Sequence, residues 1–284
     1  MINVSNTRID QLIAEDVPYI DLTSEVCGIP DTPGMLEYFT REDCVLAGTP
    51  FVRKMAAHFD LTVESSRADG ERIAAGETFM TVTGPATGLL ALWKVGLNVF
   101  DRASAIATRT RAIVDEAKAA NPACEIVTTR KSMPGAKDLQ TCAVIAGGAL
   151  PHRLGLSETV LIFKEHAAFL GGFDALVEQL PAIKARCVEK RVFIEADAEL
   201  ARKLAAGRDG RPLVDGLQLD KMPVDEMEQL VRDVRALDSR IVLIAAGGIN
   251  ATNARAYAAT GVDGIATTAP FNAPALDMSA RIHP

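Results

Sequence analysis

The chain has 284 residues, of which 48% are hydrophobic and 24% charged, the balance of an ordinary globular protein. Its formal net charge of -7 at pH 7 argues against a broad nucleic-acid-binding face, which would need a basic excess. That charge does not exclude a small basic pocket for an anionic metabolite, because a local cluster can override the global sign.

Cysteine usage and hydropathy point to the cytoplasm. The cysteines are odd in number and none has CxxC spacing, so we expect core thiols in a reducing compartment: Cys27, Cys44, Cys124, Cys142 and Cys187. The first seventeen residues carry charges and no apolar core, which argues against a secretion signal. The apolar stretch around Leu89–Val99 is interrupted by Lys94 and Asn98, so we expect no membrane insertion.

The first third of the sequence predicts a small α+β region. Apolar residues at helical spacing predict a helix over Asn6–Glu15. From Gly34 to Gly84, the short runs MLEYFT, LTVES and ETFMTV are separated by glycine-containing turns. This pattern predicts an antiparallel sheet, with a helix near Phe51–Phe59.

A long helical pattern then runs over Ala86–Ala120, between Gly84-Pro85 and Asn121-Pro122. We expect this helix to break once, near Ser104–Ala107. The domain boundary is placed inside it, which gives an N-terminal α/β sandwich domain over residues 1–108 and a barrel domain over residues 109–284. The C-terminal tail is free to pack back on the N-terminal domain.

After Pro122, β-branched runs alternate with helical ones. The predicted strands are 124–130, 158–163, 191–196, 215–220, 240–246 and 263–268, and the predicted helices are Lys137–Gly147, Phe173–Lys190, Ala198–Ala206, Val224–Leu237 and Asn250–Thr260. Buried strands that alternate with helices indicate a parallel sheet. Six or seven units of this length favour an α/β fold whose C-terminal part is a TIM-like barrel, closed or incomplete.

Basic residues follow several of these strands. Because the active site of such a barrel lies at the C-terminal ends of its strands, the residues there are the candidates: Arg130, Lys131, His152, Arg153 and Lys164. Guanidinium groups suit carboxylate and phosphate oxygens, so the cluster indicates a polyanionic ligand. The alternative for any single residue is an ordinary surface ion pair.

Acidic and glycine residues end the remaining strands. Glu195 and Asp220 suit Mg²⁺ or ribose hydroxyls, and the alternative is charge balance for the basic cluster. Gly247 and Gly248, in AAGGINATNA (245–254), let the backbone approach an anion at a predicted helix start, although a tight loop would use the same residues. Thr267 and Thr268 offer hydroxyl donors.

Four segments of the sequence resemble the quinolinate phosphoribosyltransferase (nicotinate-nucleotide pyrophosphorylase) family. They are TTRKSMPGAK (128–137), GGALPHRLGLSETVLIFKEH (147–166), LQLDKM (217–222) and AAGGINATNARAYAATGVDGIAT (245–267). The likeness extends over essentially the whole chain, including DVPYIDLT (16–23), and is strongest to the ModD-type branch associated with molybdenum loci.

The resemblance implies an N-terminal sandwich, a C-terminal barrel and a homodimer. It also implies Mg²⁺-dependent joining of a pyridine dicarboxylate to phosphoribosyl pyrophosphate, with release of pyrophosphate and CO₂. By the matching positions it implies catalytic roles for Arg130, Lys131, His152, Arg153, Glu195 and Asp220, the last two near the metal. The substrate-binding positions that we carry over are Lys94, Lys137, Phe163, Lys164, Ala246, Gly247, Gly248, Thr267 and Thr268.

Several positions depart from the family pattern, and all of them lie around the expected ligand. Phe163 stands where the family has a lysine, and Lys164 lies one residue further on, which on a strand is the opposite face. Lys94 replaces an arginine, Ala246 a serine and Thr268 a glycine. The family usually has an aspartate before its TRK motif, and Thr128 and Thr129 stand there in this chain. These changes predict a conserved nucleotide side and a less cationic, more apolar acceptor pocket.

Three hypotheses about function follow. The main one is phosphoribosyl transfer from phosphoribosyl pyrophosphate to an aromatic carboxylate such as quinolinate. The second is a non-catalytic anion- or nucleotide-binding accessory protein of molybdenum uptake on the same scaffold. The third is a Schiff-base aldolase that uses Lys131 or Lys164, which borohydride trapping of a carbonyl ligand would reveal.

Overall fold

The computed structural model describes residues 3–208 and 212–284, which cluster into two compact units. The first unit draws on residues 1–111, 132–148 and 270–284, and the second on residues 112–131 and 149–269. The helices of the first unit are α1 (Asn6–Asp16), α2 (Leu22–Cys27), α3 (Thr49–His58), α4 (Ala86–Ala120, which continues into the second unit) and α5 (Lys137–Ala146). Its strands are β1 (Pro33–Thr40), β2 (Cys44–Val45), β3 (Thr62–Ser66), β4 (Arg72–Ile73), β5 (Thr78–Pro85) and β13 (Met278–His283).

The first unit is built on an antiparallel sheet with the order β13-β1-β5-β3. Tyr38 of β1 is fully buried and donates its hydroxyl to the Leu92 carbonyl of α4 at 3.0 Å. Its ring meets Phe100 edge-on, with centroids 5.3 Å apart, and a Cβ on Gly96 would lie 2.3 Å from the Tyr38 hydroxyl. The predicted antiparallel sheet is confirmed, and its edge strand β13 comes from the C-terminal tail.

The prediction of a break in the long helix near Ser104–Ala107 is wrong, because α4 runs unbroken over Ala86–Ala120. The buried Ser104 hydroxyl accepts from the Ala47 amide at 3.0 Å, and Thr108 donates to the Ser104 carbonyl at 2.7 Å. Polar side chains that are satisfied in this way do not compete with the helical backbone.

The second unit is a curled, all-parallel, seven-stranded sheet with the order β7-β6-β12-β11-β10-β9-β8. Its strands are β6 (Glu125–Thr128), β7 (Leu150–Pro151), β8 (Val160–Ile162), β9 (Val192–Glu195), β10 (Gly216–Asp220), β11 (Val242–Ala246) and β12 (Gly264–Thr267). Its helices are α6 (Lys164–Phe169), α7 (Phe173–Ala185), α8 (Ala198–Ala206), α9 (Val224–Leu237) and α10 (Ala254–Ala259). The predicted parallel α/β architecture is confirmed, as a half-barrel rather than a closed ring.

Two predicted helices of this unit are longer than the observed ones. One of them is predicted to end at Lys190, but α7 ends at Ala185, where single turns such as Cys187 N–H to Lys184 O replace the helical pattern.

Within the described part of the chain, no helix has both the length and the apolar character needed to cross a membrane. Cys44, Cys124 and Cys142 are buried as expected, whereas Cys187 is half-buried and Cys27 is exposed.

Alternate residues of the parallel strands share one face of the sheet. On that face a buried apolar cluster forms from Leu161, Phe193, Ile244, Ala246 and Ala266, with Val127, Phe163 and Val242 packed against it. On the same face, Glu195 lies two residues beyond Phe193 in β9, and Asp220, the last residue of β10, pairs with Ala246 at the end of this layer. The apolar layer therefore forms a floor beneath the polar ends of the strands.

Gly216→Ala is expected to lower the free energy of unfolding by about 1–3 kcal/mol, the usual range for overpacking a core. A Cβ at this position would lie 2.1 Å from Cε1 of the buried Phe193. Urea unfolding checks this, with Gly155→Ala as the control, because nothing lies within 4 Å of a Cβ there. Equal unfolding midpoints for the two variants would contradict the packing described for this layer.

Candidate active site

The C-terminal ends of the seven parallel strands carry most of the predicted functional residues. Strands that run in one direction bring these ends to one edge of the sheet, which is where barrel enzymes bind their substrates. The candidates at this edge are Arg130, Lys131, His152, Arg153, Phe163, Lys164, Glu195, Asp220, Ala246, Gly247, Gly248, Thr267 and Thr268. The side chains divide into a basic side, an acidic side and a glycine turn.

Arg130, His152 and Arg153 form the basic side. Burial, followed by the positive charge of Arg130, lowers the pKa of the Arg153 guanidinium. Burial, followed by the charge of Arg153, lowers the pKa of His152, which favours the neutral imidazole. The Arg153 Nη1 donates to the Thr159 carbonyl at 3.3 Å. Two guanidinium groups that repel each other at one site are stabilised when an anion lies between them.

Lys131 follows Arg130 on the same loop and is exposed. Its backbone N–H donates to the Thr129 hydroxyl at 3.3 Å. The Thr129 hydroxyl also lies 2.7 Å from the Thr268 hydroxyl, so the residues that directly follow β6 and β12 are a hydrogen-bonded pair of threonines. Thr268 thus lies at the C-terminal edge of the parallel sheet, beside the loop that holds Arg130 and Lys131.

Glu195 and Asp220 form the acidic side. The Glu195 carboxylate accepts a hydrogen bond from Gln218 Nε2 at 2.7 Å. The pKa of Glu195 is raised, first by burial and then by the negative charges of Asp220 and Glu165, while the hydrogen bond from Gln218 and the charge of Lys164 oppose this shift. Carboxylates that lie this close together are stabilised by a cation or by hydroxyl donors.

Phe163 lies between the two sides. It is half-buried on the apolar floor, and the Arg153 Cζ lies 5.9 Å from its ring centroid. The His166 ring stacks on it at 5.9 Å, and His166 Nδ1 accepts the Phe163 backbone N–H at 3.1 Å. Lys164 begins α6 and is exposed, and its charge acts on Glu195. The site therefore has an aromatic wall next to a guanidinium.

Gly247 and Gly248 both adopt left-handed backbone angles, with φ of 90° and 75°. A Cβ on Gly247 would lie 2.7 Å from the Asp220 Oδ1, whereas nothing lies within 4 Å of a Cβ on Gly248. Ala246, the last residue of β11, is buried. The turn therefore brings its backbone against Asp220 and leaves open space in front of Gly248.

The helix predicted to begin at Asn250 begins instead at Ala254. The Asn250 side chain accepts from the Thr252 amide at 2.9 Å, and Asn253 Oδ1 accepts from the Asn250 amide at 2.8 Å. Such local bonds hold residues 250–253 in a turn rather than a helix. The glycine turn is consequently separated from α10 and does not meet a helix start.

Thr267 is placed differently from Thr268. It is buried, and its hydroxyl donates to the Ile249 carbonyl at 2.5 Å and accepts from the Ala269 amide at 3.0 Å. This hydroxyl anchors the loop after the glycine turn.

The remaining predicted ligand residues, Lys94 and Lys137, belong to the first unit. Lys94 is exposed on α4, with its Nζ 4.5 Å from the centroid of the Trp93 ring. Lys137 is the first residue of α5 and is also exposed.

Sequence reasoning missed Gln218. A signal for Gln218 was present, because it lies two residues before Asp220 and therefore on the same face of β10. Its buried amide is the group that holds the Glu195 carboxylate.

Comparison with known proteins places these features in a family. Residues 106–281 match the family described as "Quinolinate phosphoribosyl transferase, C-terminal domain", and residues 21–104 match its N-terminal domain. The chain belongs to the quinolinate phosphoribosyltransferase family. Its members are pentosyltransferases, and the two matched regions together include every strand-end residue described above.

Individual relatives agree with this family membership. The chain is 38% identical over 254 residues to "Putative pyrophosphorylase ModD" of Rhodobacter capsulatus, covering 89% of this chain and 96% of the relative. It is 34% identical over 275 residues to the nicotinate-nucleotide pyrophosphorylase (carboxylating) of Mycobacterium leprae, covering 94% and 93%. The crystal structure of nicotinate-nucleotide pyrophosphorylase from Ehrlichia chaffeensis is similar, with a TM-score of 0.87 at 26% identity over 99% of this chain and 100% of that one.

Proposed function

We propose that this protein transfers phosphoribosyl from phosphoribosyl pyrophosphate to the ring nitrogen of an aromatic carboxylate such as quinolinate. The bond from C1′ of the ribose to the diphosphate oxygen breaks, the diphosphate leaves with the electron pair, and the nitrogen lone pair forms the new bond to C1′. The observation that carries the proposal is that Arg130 and Arg153 lie at the same edge of the parallel sheet as Glu195 and Asp220.

The basic side suits the leaving group. Diphosphate gains negative charge as its bond to C1′ breaks, and donors already in position stabilise that charge in the transition state. Arg153 is held by Thr159 and is half-buried, so its attraction for a diphosphate oxygen is stronger there than at an open surface. A neutral His152 beside it is able to donate a hydrogen bond to a phosphate oxygen.

The acidic side suits the ribose and a Mg²⁺ ion shared with the substrate. Among the described residues, no group of three or more His, Cys, Asp or Glu side chains is arranged to hold a metal ion by itself. Mg²⁺ commonly binds through one or two carboxylates and completes its shell with substrate phosphates and water, which fits Glu195 and Asp220. When bound, the ion would neutralise charge on the diphosphate. The carboxylates also accept hydrogen bonds from ribose hydroxyls.

The acceptor is expected to lie against Phe163. A planar aromatic ring would pack there next to Arg153, whose guanidinium lies over the same wall, and so close to the diphosphate. The relative in Mycobacterium leprae is named a carboxylating enzyme, a term for the reverse of the reaction proposed here. In the direction of phosphoribosyl transfer, the proposal therefore includes loss of CO₂ from quinolinate. A homodimer in the cytoplasm stays a prediction.

Pyrophosphate release from phosphoribosyl pyrophosphate, measured with Mg²⁺ across pyridine, pyrimidine and benzimidazole-like acceptors, tests the proposed function. We expect turnover with at least one aromatic carboxylate, and no turnover when the acceptor is omitted. Binding of phosphoribosyl pyrophosphate without turnover on any acceptor would contradict the enzyme and favour the non-catalytic accessory protein.

A further inference from the structure

Lys221 has an unusual backbone conformation. Among the described residues, only Asp60 and Lys221 have a positive φ without being glycine, at 56° and 57°. The left-handed region is costly for a residue with a long side chain, because Cβ approaches the following carbonyl. Each instance therefore calls for a local reason.

Asp60 has an ordinary reason. It follows α3, where the Leu61 amide donates to the Ala56 carbonyl at 2.9 Å and the Asp60 amide to the Ala57 carbonyl at 3.3 Å. This is the common way for a helix to end, and a left-handed residue is expected there. The conformation of Asp60 closes a helix and needs no ligand.

Lys221 ends a strand instead. It directly follows Asp220, the last residue of β10, and its amide donates to the Ala246 carbonyl at 2.8 Å. This bond extends the pairing of β10 with β11 by one residue and fixes Lys221 beside the glycine turn. Its side chain is exposed at the candidate site.

The stem of Lys221 lies against Gly247. A Cβ built on Gly247 would lie 2.5 Å from the Lys221 Cγ and 2.6 Å from the Lys221 amide nitrogen. Gly247 is thus the neighbour whose lack of a side chain admits Lys221, while the space in front of Gly248 stays open. The unfavourable left-handed backbone of Lys221 therefore places a positively charged side chain next to the Gly247–Gly248 turn.

We propose that Lys221 binds the 5′-phosphate of the phosphoribosyl donor at the Gly247–Gly248 turn. This inference rests on the proposed function and adds a cation to its nucleotide side. The strand-end bond to Ala246 and the contact with Gly247 hold the stem, and the ammonium provides a point charge for a phosphate oxygen.

Lys221→Gly separates the backbone effect from the charge effect. Glycine adopts the same φ without strain, so the unfolding midpoint in urea is expected to stay equal or rise. Loss of a charge-assisted hydrogen bond is expected to weaken binding of phosphoribosyl pyrophosphate and of ribose 5-phosphate about ten- to hundredfold by calorimetry. Binding of inorganic pyrophosphate, which lacks the 5′-phosphate, is expected to stay within about threefold.

Two matched variants sharpen the test. Asp60→Gly changes the other left-handed residue, and it is expected to leave affinity for phosphoribosyl pyrophosphate unchanged. Lys221→Arg keeps the charge and is expected to bind within about threefold of wild type. Equal affinity of Lys221→Gly and wild type for ribose 5-phosphate would overturn this inference alone. Failure of the wild type to bind phosphoribosyl pyrophosphate would overturn it together with the proposed function.

Discussion

Arg153→Ala is expected to lower kcat/KM for phosphoribosyl transfer about 10²- to 10³-fold, the usual effect of removing one donor to a developing negative charge. Arg153 is half-buried, whereas Arg130 is exposed, and it is held by the Thr159 carbonyl and lies over the Phe163 ring. Most of the loss should appear in kcat, because charge on the diphosphate grows in the transition state. Steady-state pyrophosphate release measures it.

Arg153→Lys separates charge from shape. It keeps the positive charge but loses the planar fork, so we expect activity between those of wild type and Arg153→Ala. Arg186→Ala is the matched control, since Arg186 is exposed after α7 and before β9 begins, toward the opposite edge of the sheet. Equal activity of Arg153→Ala and Arg186→Ala would contradict the role of Arg153 in holding the leaving group.

Glu195→Gln is expected to lower kcat/KM about 10²-fold near pH 8 and to flatten the acid side of the pH profile. Ionised Glu195 is the form that holds a cation and accepts most strongly from ribose hydroxyls, so activity should fall as the pH drops through its raised pKa. The glutamine keeps an oxygen for the bond from Gln218. The pH dependence of pyrophosphate release measures this.

Stability gives an independent control for the same variant. The pKa of Glu195 is higher in the folded chain than its ordinary value, so the folded state binds the proton more tightly. Ionised Glu195 therefore reduces stability above that raised pKa, and Glu195→Gln should unfold no earlier than wild type in that range. Asp220→Asn removes a negative charge next to Glu195. It should therefore move the acid side of the pH profile of pyrophosphate release to lower pH. An unmoved acid side would contradict the coupling of the two carboxylates.

The alternation of strands and helices after Pro122 was enough to predict the parallel sheet and the edge of that sheet at which the candidate residues meet. Period-two and period-3.6 patterns report directly on which faces are buried, and the barrel rule then places the site. Glu195 and Asp220 were found this way, because each follows an apolar strand interior. The same rule places Arg130 and His152 at the ends of β6 and β7.

What the sequence did not reveal depends on hydrogen bonds between residues distant in the chain. In the unbroken α4, the buried Ser104 hydroxyl accepts a hydrogen bond from the Ala47 amide. No local sequence pattern predicts that a buried serine has a hydrogen-bond partner 57 residues away. The different placement of Thr267 and Thr268 depends on the Ile249 carbonyl and the Thr129 hydroxyl. The left-handed backbone of Lys221 has no signature in composition or periodicity.

The central claim is that the basic and the acidic side chains at one edge of the parallel sheet bind the same substrate molecule. A crystal structure of the protein with phosphoribosyl pyrophosphate and Mg²⁺ is the most direct test of it. We predict diphosphate oxygens within hydrogen-bonding distance of Arg130 and Arg153, with the ribose facing Glu195 and Asp220. Phosphoribosyl pyrophosphate bound elsewhere on the molecule, with these four side chains turned away from it, would contradict the claim.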